Sequence, residues 1–135
     1  MSKVVFTNGC FDIFHYGHLH ILREAAKLGT LIVGINSDAS IKKIKGIDRP
    51  IFPLKYRQQI IESLLFVNTT MSFNEETPLN LILKIKPDIL VKGGDWCIDS
   101  IVGSKYVTSY GGKVKTIPLI KGMSTSNILK RILND

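Results

Sequence analysis

Two histidines, His15 and His18, stand three residues apart with Gly17 between them, at the start of a segment with helical spacing. The first turn of a helix carries unpaired N–H groups and a partial positive charge, both of which suit a phosphate. Gly17 has no side chain to obstruct the phosphate. The two imidazoles can donate hydrogen bonds to it as its charge shifts during a displacement. The spacing therefore predicts chemistry at a phosphorus atom, with His15 and His18 as catalytic residues.

The turn just before the histidine pair contains Asn8 and Gly9 and follows a predicted strand. Gly9 would expose the N–H groups of Cys10 and Phe11 to the same phosphate. One alternative is a zinc site, but no third ligand follows at a suitable spacing. The other alternative is a purely structural role, as a helix cap or a core residue, for each histidine. The combination of strand, glycine turn, histidine pair and helix favours the phosphate site.

These residues need a scaffold, and apolar β-branched runs that alternate with helical patterns supply one. The runs predict five strands, at Val4–Thr7, Leu31–Asn36, Thr69–Phe73, Ile89–Val91 and Lys113–Pro118. Strands that alternate with helices imply right-handed crossovers and a parallel sheet. The sequence therefore predicts an α/β fold, a Rossmann-like open five-stranded parallel sheet with helices on both faces, as one domain over residues 1–135. Ligands of such sheets bind where the strand order reverses, so the residues after strands one, four and five should matter.

Apolar stripes at helical spacing predict the helices between these strands. They cover residues 19–28, 56–65, 79–85, 98–106 (the weakest pattern) and 124–133. In the last helix, Ile128, Leu129, Ile132 and Leu133 form the expected buried face. No apolar period accompanies Lys42, Lys43 and Lys45 beside Gly46, and the segment is predicted to be a mobile basic flap over the phosphates.

Composition limits the function classes without choosing among them. The net charge is +7, from 18 basic and 11 acidic residues that are mostly scattered, and no RNA-binding signature accompanies it. Two cysteines cannot build a disulfide framework and lack metal-site spacing. No apolar run has transmembrane length, and no leader pattern opens the chain. We therefore expect a cytoplasmic protein that binds neither membranes nor nucleic acid.

The string from Thr7 to His18 resembles the HxGH signature of the nucleotidylyltransferase superfamily, which includes the class I aminoacyl-tRNA synthetases and the small cytidylyltransferases. That superfamily carries a Ser/Thr-rich phosphate loop before a late helix. Here Gly122, Met123, Ser124 and Thr125 stand in that place. Hydroxyls and free N–H groups at a helix start suit β- and γ-phosphates. Alone, the segment would be an ordinary helix cap, but its position relative to HxGH makes it specific.

Further segments resemble the adenylyltransferase domain of bacterial heptose-1-phosphate enzymes. They are Asn36–Asp38, Lys45-Gly46, Arg49-Pro50, Arg57, Pro87-Asp88 and Lys92–Trp96, within a resemblance that runs from Val4 to Ile132. In that family the domain often forms half of a bifunctional protein with a sugar kinase. The resemblance implies that D-glycero-β-D-manno-heptose 1-phosphate and ATP give ADP-heptose and pyrophosphate. ADP-heptose is a precursor of lipopolysaccharide core and of some surface glycans.

The resemblance also implies roles for individual residues. Lys45 is a third catalytic residue, which neutralises phosphate charge in the transition state. The nucleotide-binding residues are Asn8, Gly9, Cys10, Phe11, His15, Gly17, His18, Arg57, Lys92, Gly93, Asp95, Trp96, Gly122, Met123, Ser124 and Thr125. The acceptor-binding residues are Asp12, Asp38 and Lys42. No protein metal site is implied, since Mg²⁺ would be held mainly by the nucleotide phosphates. A homodimer is expected.

Two other functions stay open. Glycerol-3-phosphate cytidylyltransferases share HxGH and a similar late loop, but they have arginines where this chain has Leu65 and Leu119. A non-catalytic nucleotide-binding module would need a damaged triphosphate site, whereas both phosphate motifs are present here. Lys121 and Asn68 depart from the acidic residues that are common in the heptose family, which leaves the sugar open.

Overall fold

The computed structural model describes residues 2–134 and contains a single sheet of five parallel strands. The strands are β1 (Val4–Gly9), β2 (Thr30–Asn36), β3 (Val67–Phe73), β4 (Ile89–Gly93) and β5 (Lys113–Ile117). Their order across the sheet is β3-β2-β1-β4-β5. The chain therefore builds outward from β1 to β3, then returns to the other side of β1 for β4 and β5. This confirms the predicted α/β fold and all five strands.

Six α-helices connect and follow the strands within residues 2–134. They are α1 (Tyr16–Ala26), α2 (Asp38–Lys45), α3 (Leu54–Glu62), α4 (Leu79–Ile85), α5 (Ser104–Ser109) and α6 (Thr125–Asn134). The weak pattern predicted as one helix from residue 98 is a 3₁₀ turn, Ile98–Ser100, followed by the short α5. Gly103, with a φ of 87°, separates the two, since a left-handed residue cannot continue a helix.

Two apolar clusters cover the two faces of the sheet. Leu22 of α1 and Ile61 of α3 pack on one face with Val5, Val33 and Val91 of the strands. On the other face, Ile82 of α4 and Val107 of α5 pack against a cluster that includes Phe6 and Leu90 of the strands. Alternate residues of β1 and β4 thus point into opposite layers, as the period of two in a strand requires. Helices on both faces leave the carboxyl ends of the strands as the open rim.

The last helix differs from its prediction in one respect. Its pattern is strongly amphipathic, yet Ile132 and Leu133 are 65% and 80% exposed. The prediction that these two residues are buried is wrong in this structure, although Ile128 and Leu129 are partly covered. Thr125, at the start of α6, is the residue of this helix that is buried against the domain.

Candidate active site

The strand order reverses between β1 and β4, and a pocket of about 450 Å³ opens above that point. The phosphate-turn residues Asn8, Gly9, Cys10 and Phe11 form its floor, as expected for a ligand site at the switch point of an open sheet. Other predicted residues that line it are Asp12, His18, Lys45, Lys92, Gly93, Trp96 and Thr125. Residues from both halves of the chain therefore meet at one crevice.

The two histidines hold each other at the start of α1. His15 caps the helix, because its Nδ1 accepts the N–H of Gly17 at 3.0 Å. The Nδ1 of His18 in turn accepts the N–H of His15 at 3.2 Å. The imidazole rings stack with their centroids 3.7 Å apart. A ring nitrogen that accepts a hydrogen bond carries no proton, so these bonds assign the proton of each neutral ring to Nε2.

Both histidines are neutral in this environment. Burial is the main cause that lowers the pKa of His18 to about 3, and the nearby charge of Lys45 and the repulsion that a protonated His15 would exert act in the same direction. Burial also lowers the pKa of His15. The Nε2 of His15 is buried and has no hydrogen-bond partner among residues 2–134. A buried polar donor without a partner is costly, which makes Nε2 of His15 a candidate donor to a ligand. Of the predicted HxGH residues, His18 lines the pocket, whereas His15 and Gly17 do not line it.

The second phosphate motif lies directly against the first. A Cβ on Gly17 would come within 2.9 Å of both the Met123 carbonyl oxygen and Cε1 of His15, so only glycine fits between the two segments. The Thr125 hydroxyl donates to the Asp12 carbonyl oxygen at 2.7 Å. The starts of α1 and α6 are thus adjacent, and side chains cap one N–H group in each first turn, those of Gly17 and Asn127. Gly122 and Ser124 are exposed beside it.

One side of the pocket follows β4 and forms a flat apolar surface. Trp96 is 50% exposed, so it is not the core aromatic that could have been expected from its type. Its Nε1 donates to the Gly93 carbonyl oxygen at 3.0 Å, and Lys92 Nζ lies 5.1 Å from the ring centroid. Burial lowers the pKa of Lys92. Asp95, predicted to bind the nucleotide, is exposed and does not line the pocket.

The burial and contacts of Arg57 contradict the prediction that its side chain reaches a phosphate. The side chain is completely buried, and its donors are occupied by the protein itself. The acceptors are the carbonyl oxygens of Phe52, Cys10 and Asn36, each at 2.8 Å, and Asp38 Oδ1 at 2.7 Å. Arg57 therefore ties the turn after β1 to the end of β2 from below. A guanidinium with four such bonds has a structural role.

The two acidic residues predicted to bind the acceptor also hold the scaffold. Asp12 is 1% exposed, and its carboxylate accepts the N–H groups of Ile51 and Phe52 at 2.7 and 2.9 Å. Asp38 accepts from Arg57 and from the Leu54 N–H, at 2.9 Å, where α3 begins. Both carboxylates thus have a positioning role. Asp12 lines the pocket and Asp38, with its side chain 43% exposed, does not, so a direct contact of either one with the acceptor stays a prediction.

The lysine-rich segment is a helix, so the prediction of a free flap is wrong. Ser37 caps α2 through the Ser40 N–H, and Ile41 is completely buried beneath it. Lys45, the last residue of α2, lines the pocket as predicted. Lys42 does not line the pocket, and its Nζ donates instead to the Arg49 carbonyl oxygen at 3.3 Å.

Sequence reasoning missed several residues that line the pocket. Arg49 and the loop residues Glu76 and Thr77 face it from the side of β2 and β3. Arg49 was noted only as part of a resemblance, and Glu76 stands in an acidic, polar loop without a motif. Within residues 2–134, no three His, Cys, Asp or Glu side chains are grouped as metal ligands. Over the same residues, no helix is long and apolar enough to cross a membrane.

Comparison with known proteins identifies the family. The model of the cytidylyltransferase-like family matches residues 6–131, nearly the whole chain. The chain belongs to this family. Membership makes it a nucleotidyltransferase, which confirms the superfamily resemblance and the enzyme class.

Individual relatives support the same assignment. The chain is 50% identical over 134 residues to the bifunctional protein HldE of Syntrophotalea carbinolica, and 47% identical over 135 residues to HldE of Pseudomonas fluorescens. These matches cover 98% and 99% of this chain, but only 27% and 28% of the relatives. The chain thus spans little more than a quarter of the curated relatives that it matches.

Solved structures agree on the fold of this family member. A lipopolysaccharide core biosynthesis protein from Thermoplasma volcanium superposes with a TM-score of 0.72 at 30% identity, over 90% of this chain and 98% of its own. Pantoate-β-alanine ligase from Francisella tularensis superposes with a TM-score of 0.62 at 16% identity, over 99% of this chain and 72% of its own. The second similarity is one of fold alone.

Proposed function

We propose that this nucleotidyltransferase transfers AMP from ATP to a sugar 1-phosphate and releases pyrophosphate. The observation that carries the proposal is the neutral histidine pair at the start of α1. Both Nδ1 atoms accept backbone N–H groups, so both Nε2 atoms are hydrogen-bond donors. Such donors are fixed before the substrate arrives, so they do not have to reorganise in order to stabilise the charge that develops on a phosphate.

The reaction that fits this site is a direct in-line displacement. An oxygen of the acceptor phosphate attacks the α-phosphorus, a new P–O bond forms, and the bond to the bridging oxygen of the β-phosphate breaks. The electron pair leaves with pyrophosphate. The attacking oxygen is already ionised, so no general base is needed, and catalysis reduces to positioning and charge stabilisation. His15, His18 and Lys45 supply the charge stabilisation in this proposal.

Mg²⁺ belongs to the proposal as a companion of the nucleotide. It commonly binds through substrate phosphates with few protein ligands, and it would supply charge neutralisation at the triphosphate. The Asp12 carboxylate is already occupied by backbone N–H groups, which fits a metal held mainly by the nucleotide. In this proposal the role of the protein itself is to hold the phosphates at the adjacent starts of α1 and α6.

Similarity to named proteins supports the choice of acceptor. Two relatives, at 50% and 47% identity, are bifunctional proteins, and this chain matches just over a quarter of each. The structural relative at 30% identity is a lipopolysaccharide core biosynthesis protein. Together with the resemblance to heptose-1-phosphate adenylyltransferase domains, this favours D-glycero-β-D-manno-heptose 1-phosphate, with ADP-heptose as product. The homodimer, the cytoplasmic location and the single-domain organisation stay predictions.

A pyrophosphate-release screen tests the proposed function. Each of the four nucleoside triphosphates is combined with heptose 1-phosphate, other sugar 1-phosphates or glycerol 3-phosphate in the presence of Mg²⁺. We expect the highest turnover with ATP and heptose 1-phosphate, and no release when the acceptor is left out. Higher turnover with CTP and glycerol 3-phosphate would contradict the proposal and favour the second enzyme class.

A further inference from the structure

Arg49 is a nearly buried cation that lines the pocket, and its buried Nη2 is unused. Its side chain is 13% exposed, and its Nε lies 3.2 Å from Oδ2 of Asp12, whose side chain is completely buried. Its Nη2 is buried and has no hydrogen-bond partner among residues 2–134. Buried guanidinium groups normally use their donors, so this unused donor needs a physical reason.

Asp12 orients the guanidinium of Arg49 but does not accept hydrogen bonds from all of its donors. The two carboxylate oxygens of Asp12 already accept the N–H groups of Ile51 and Phe52, besides Nε of Arg49. The carboxylate thus holds the loop between α2 and α3 and orients the guanidinium through its Nε. A planar guanidinium with a free edge matches the geometry of a phosphate better than that of a water or a hydroxyl.

The charge of Arg49 lies close to the phosphate turn. Burial raises the pKa of the Cys10 thiol, and the positive charges of Lys45, Arg57 and Arg49 oppose that rise. Arg57 is fully engaged with the protein, as described above. Arg49 and Lys45 are therefore the cations on this wall of the pocket that are able to meet a ligand.

The order of the strands indicates whether Arg49 and Lys45 lie on the side of the leaving pyrophosphate or on the side of the acceptor phosphate. The phosphate turn follows β1, at the centre of the sheet. Trp96 and α6 follow β4 and β5 on one side of it, whereas Lys45 and Arg49 follow β2 on the other. In-line displacement requires the attacking and leaving groups on opposite sides of the phosphorus. If the start of α6 holds the leaving pyrophosphate, the side of β2 receives the acceptor.

We propose that Arg49 binds the phosphate group of the acceptor through its free Nη2, with Asp12 as its positioning residue. This subsite rests on the proposed function and gives it an acceptor contact besides those predicted at Asp12, Asp38 and Lys42. The ligand is a phosphomonoester dianion, and in this proposal the sugar beyond it extends toward Glu76 and Thr77, which line the same pocket.

The test compares Arg49→Met and Arg49→Lys with Arg23→Met, a control that removes the same charge from an exposed position of α1. We measure KM for the sugar phosphate at saturating ATP, and the Kd of a non-hydrolysable ATP analogue without acceptor. Losing a hydrogen bond between charged groups typically weakens binding about 10- to 100-fold. Arg49→Met should raise KM for the sugar phosphate by that factor and leave the Kd of the analogue within about threefold.

Arg49→Lys separates the subsite from the fold. It keeps a cation beside Asp12, so the thermal unfolding midpoint should stay near that of the wild type, while KM for the sugar phosphate takes an intermediate value. An equal loss of affinity for the ATP analogue would assign Arg49 to the nucleotide and overturn the proposal. A KM in Arg49→Met no higher than in Arg23→Met would overturn it as well.

Failure of the proposed function itself would look different. In that case the wild type would release no pyrophosphate with any sugar phosphate. Binding of inorganic phosphate to the complex with the ATP analogue, followed by calorimetry, would still test the subsite. Weaker binding in Arg49→Met than in Arg23→Met would support a phosphate contact at Arg49, and equal binding would overturn it.

Discussion

His15 and His18 are bound to the backbone through one ring nitrogen each, and this explains how a short motif makes a precise site. The Nδ1 atoms cap α1 and hold the turn before it, which leaves the Nε2 atoms for the ligand. Residue types and spacing predicted the phosphate chemistry. The tautomers could not be predicted, because they depend on which backbone N–H groups the turn presents.

Replacing His18 by asparagine should separate its two roles. The amide oxygen introduced by His18→Asn can still accept the His15 N–H, whereas the donor at Nε2 is lost. Removing one preorganised donor to developing charge typically lowers turnover about 100- to 1000-fold. We expect such a loss at saturating ATP, in a steady-state pyrophosphate assay, with little change in the thermal unfolding midpoint. Turnover close to that of the wild type would show that His18 only caps the helix.

The lowered pKa of His18 predicts how stability depends on pH. The folded protein keeps the ring neutral down to about pH 3, whereas in the unfolded chain it accepts a proton below about pH 6.5. The unfolded state therefore binds more protons across that window, and the free energy of unfolding should fall as the pH falls through it. Urea unfolding at several pH values should give a shallower decline for His18→Asn than for the wild type. Identical slopes would argue against a neutral, buried His18.

Charged residues were the least predictable part of the site. Arg57, Asp12 and Asp38 have the types expected of ligand contacts, yet buried backbone groups occupy them. Arg49 shows the converse, since a residue without a predicted role keeps a free donor in the pocket. Which charges serve the fold depends on distances between loops that are far apart in sequence.

At the scale of elements, α2 carries the most consequential difference from prediction. Ile41 and Ile44 are the large apolar residues of this eight-residue helix, which is too few to form a recognisable stripe. Its stability comes from the Ser37 cap and from the complete burial of Ile41. Lys45 is therefore presented by the last turn of a fixed helix, next to Gly46, and only the loop beyond it is free of helical structure.

Lys45→Ala should lower turnover more than it weakens ATP binding, because we expect its contact to strengthen as charge moves in the transition state. Loss of a charge-assisted contact should cost at least about tenfold in kcat. Lys43→Ala is the matched control, since Lys43 is exposed on the same helix and does not line the pocket. Initial rates over a range of ATP concentrations separate kcat from KM. An effect confined to KM would reduce Lys45 to a ground-state contact.

The regular elements were the most predictable part of the fold. Runs of β-branched and apolar residues predicted the five strands, and the central strands β1, β2 and β4 are largely buried as such runs require. The edge strands β3 and β5 have one buried residue each, so their pattern was weaker. The predicted helical face of α6 was right in its period but not in its burial, since Ile132 and Leu133 are exposed. Periodicity indicates which face of a helix is apolar, and tertiary structure decides whether that face is covered.

At the scale of the whole molecule, the point where the strand order reverses brings two surfaces together: the starts of α1 and α6, and the surface that follows β4 and β5. All nucleoside triphosphates carry the same phosphate groups, so binding of phosphates at the starts of α1 and α6 would not distinguish one nucleotide from another. We expect discrimination to depend on the surface after β4 and β5, where Gly93 and Trp96 line the pocket and Leu119, which does not line it, packs beside Gly93 and Gly94. Leu65 is completely exposed and does not line the pocket, so its difference from the glycerol-phosphate enzymes does not bear on the base.

The last prediction concerns the choice of nucleotide, and the structure supplies its physical basis. Gly94 has a φ of 111°, and a Cβ there would lie 3.0 Å from Nε1 of Trp96, so the indole occupies the space that a side chain at position 94 would need. Leu119 is apolar and 60% exposed next to it. A cytosine would leave polar edge groups unpaired against this surface, at a cost of about 1–3 kcal/mol each, whereas a purine gains stacking area on Trp96.

We therefore expect ATP to be preferred over CTP when pyrophosphate release with heptose 1-phosphate is measured at equal nucleotide concentrations. Trp96→Ala should reduce the preference by weakening ATP more than CTP, because the larger base loses more contact area on the indole. Lys113→Ala, at an exposed position of β5 outside this pocket, is the control. Equal kcat/KM values for the two nucleotides in the wild type would mean that backbone groups, and not the apolar surface around Trp96 and Leu119, select the base.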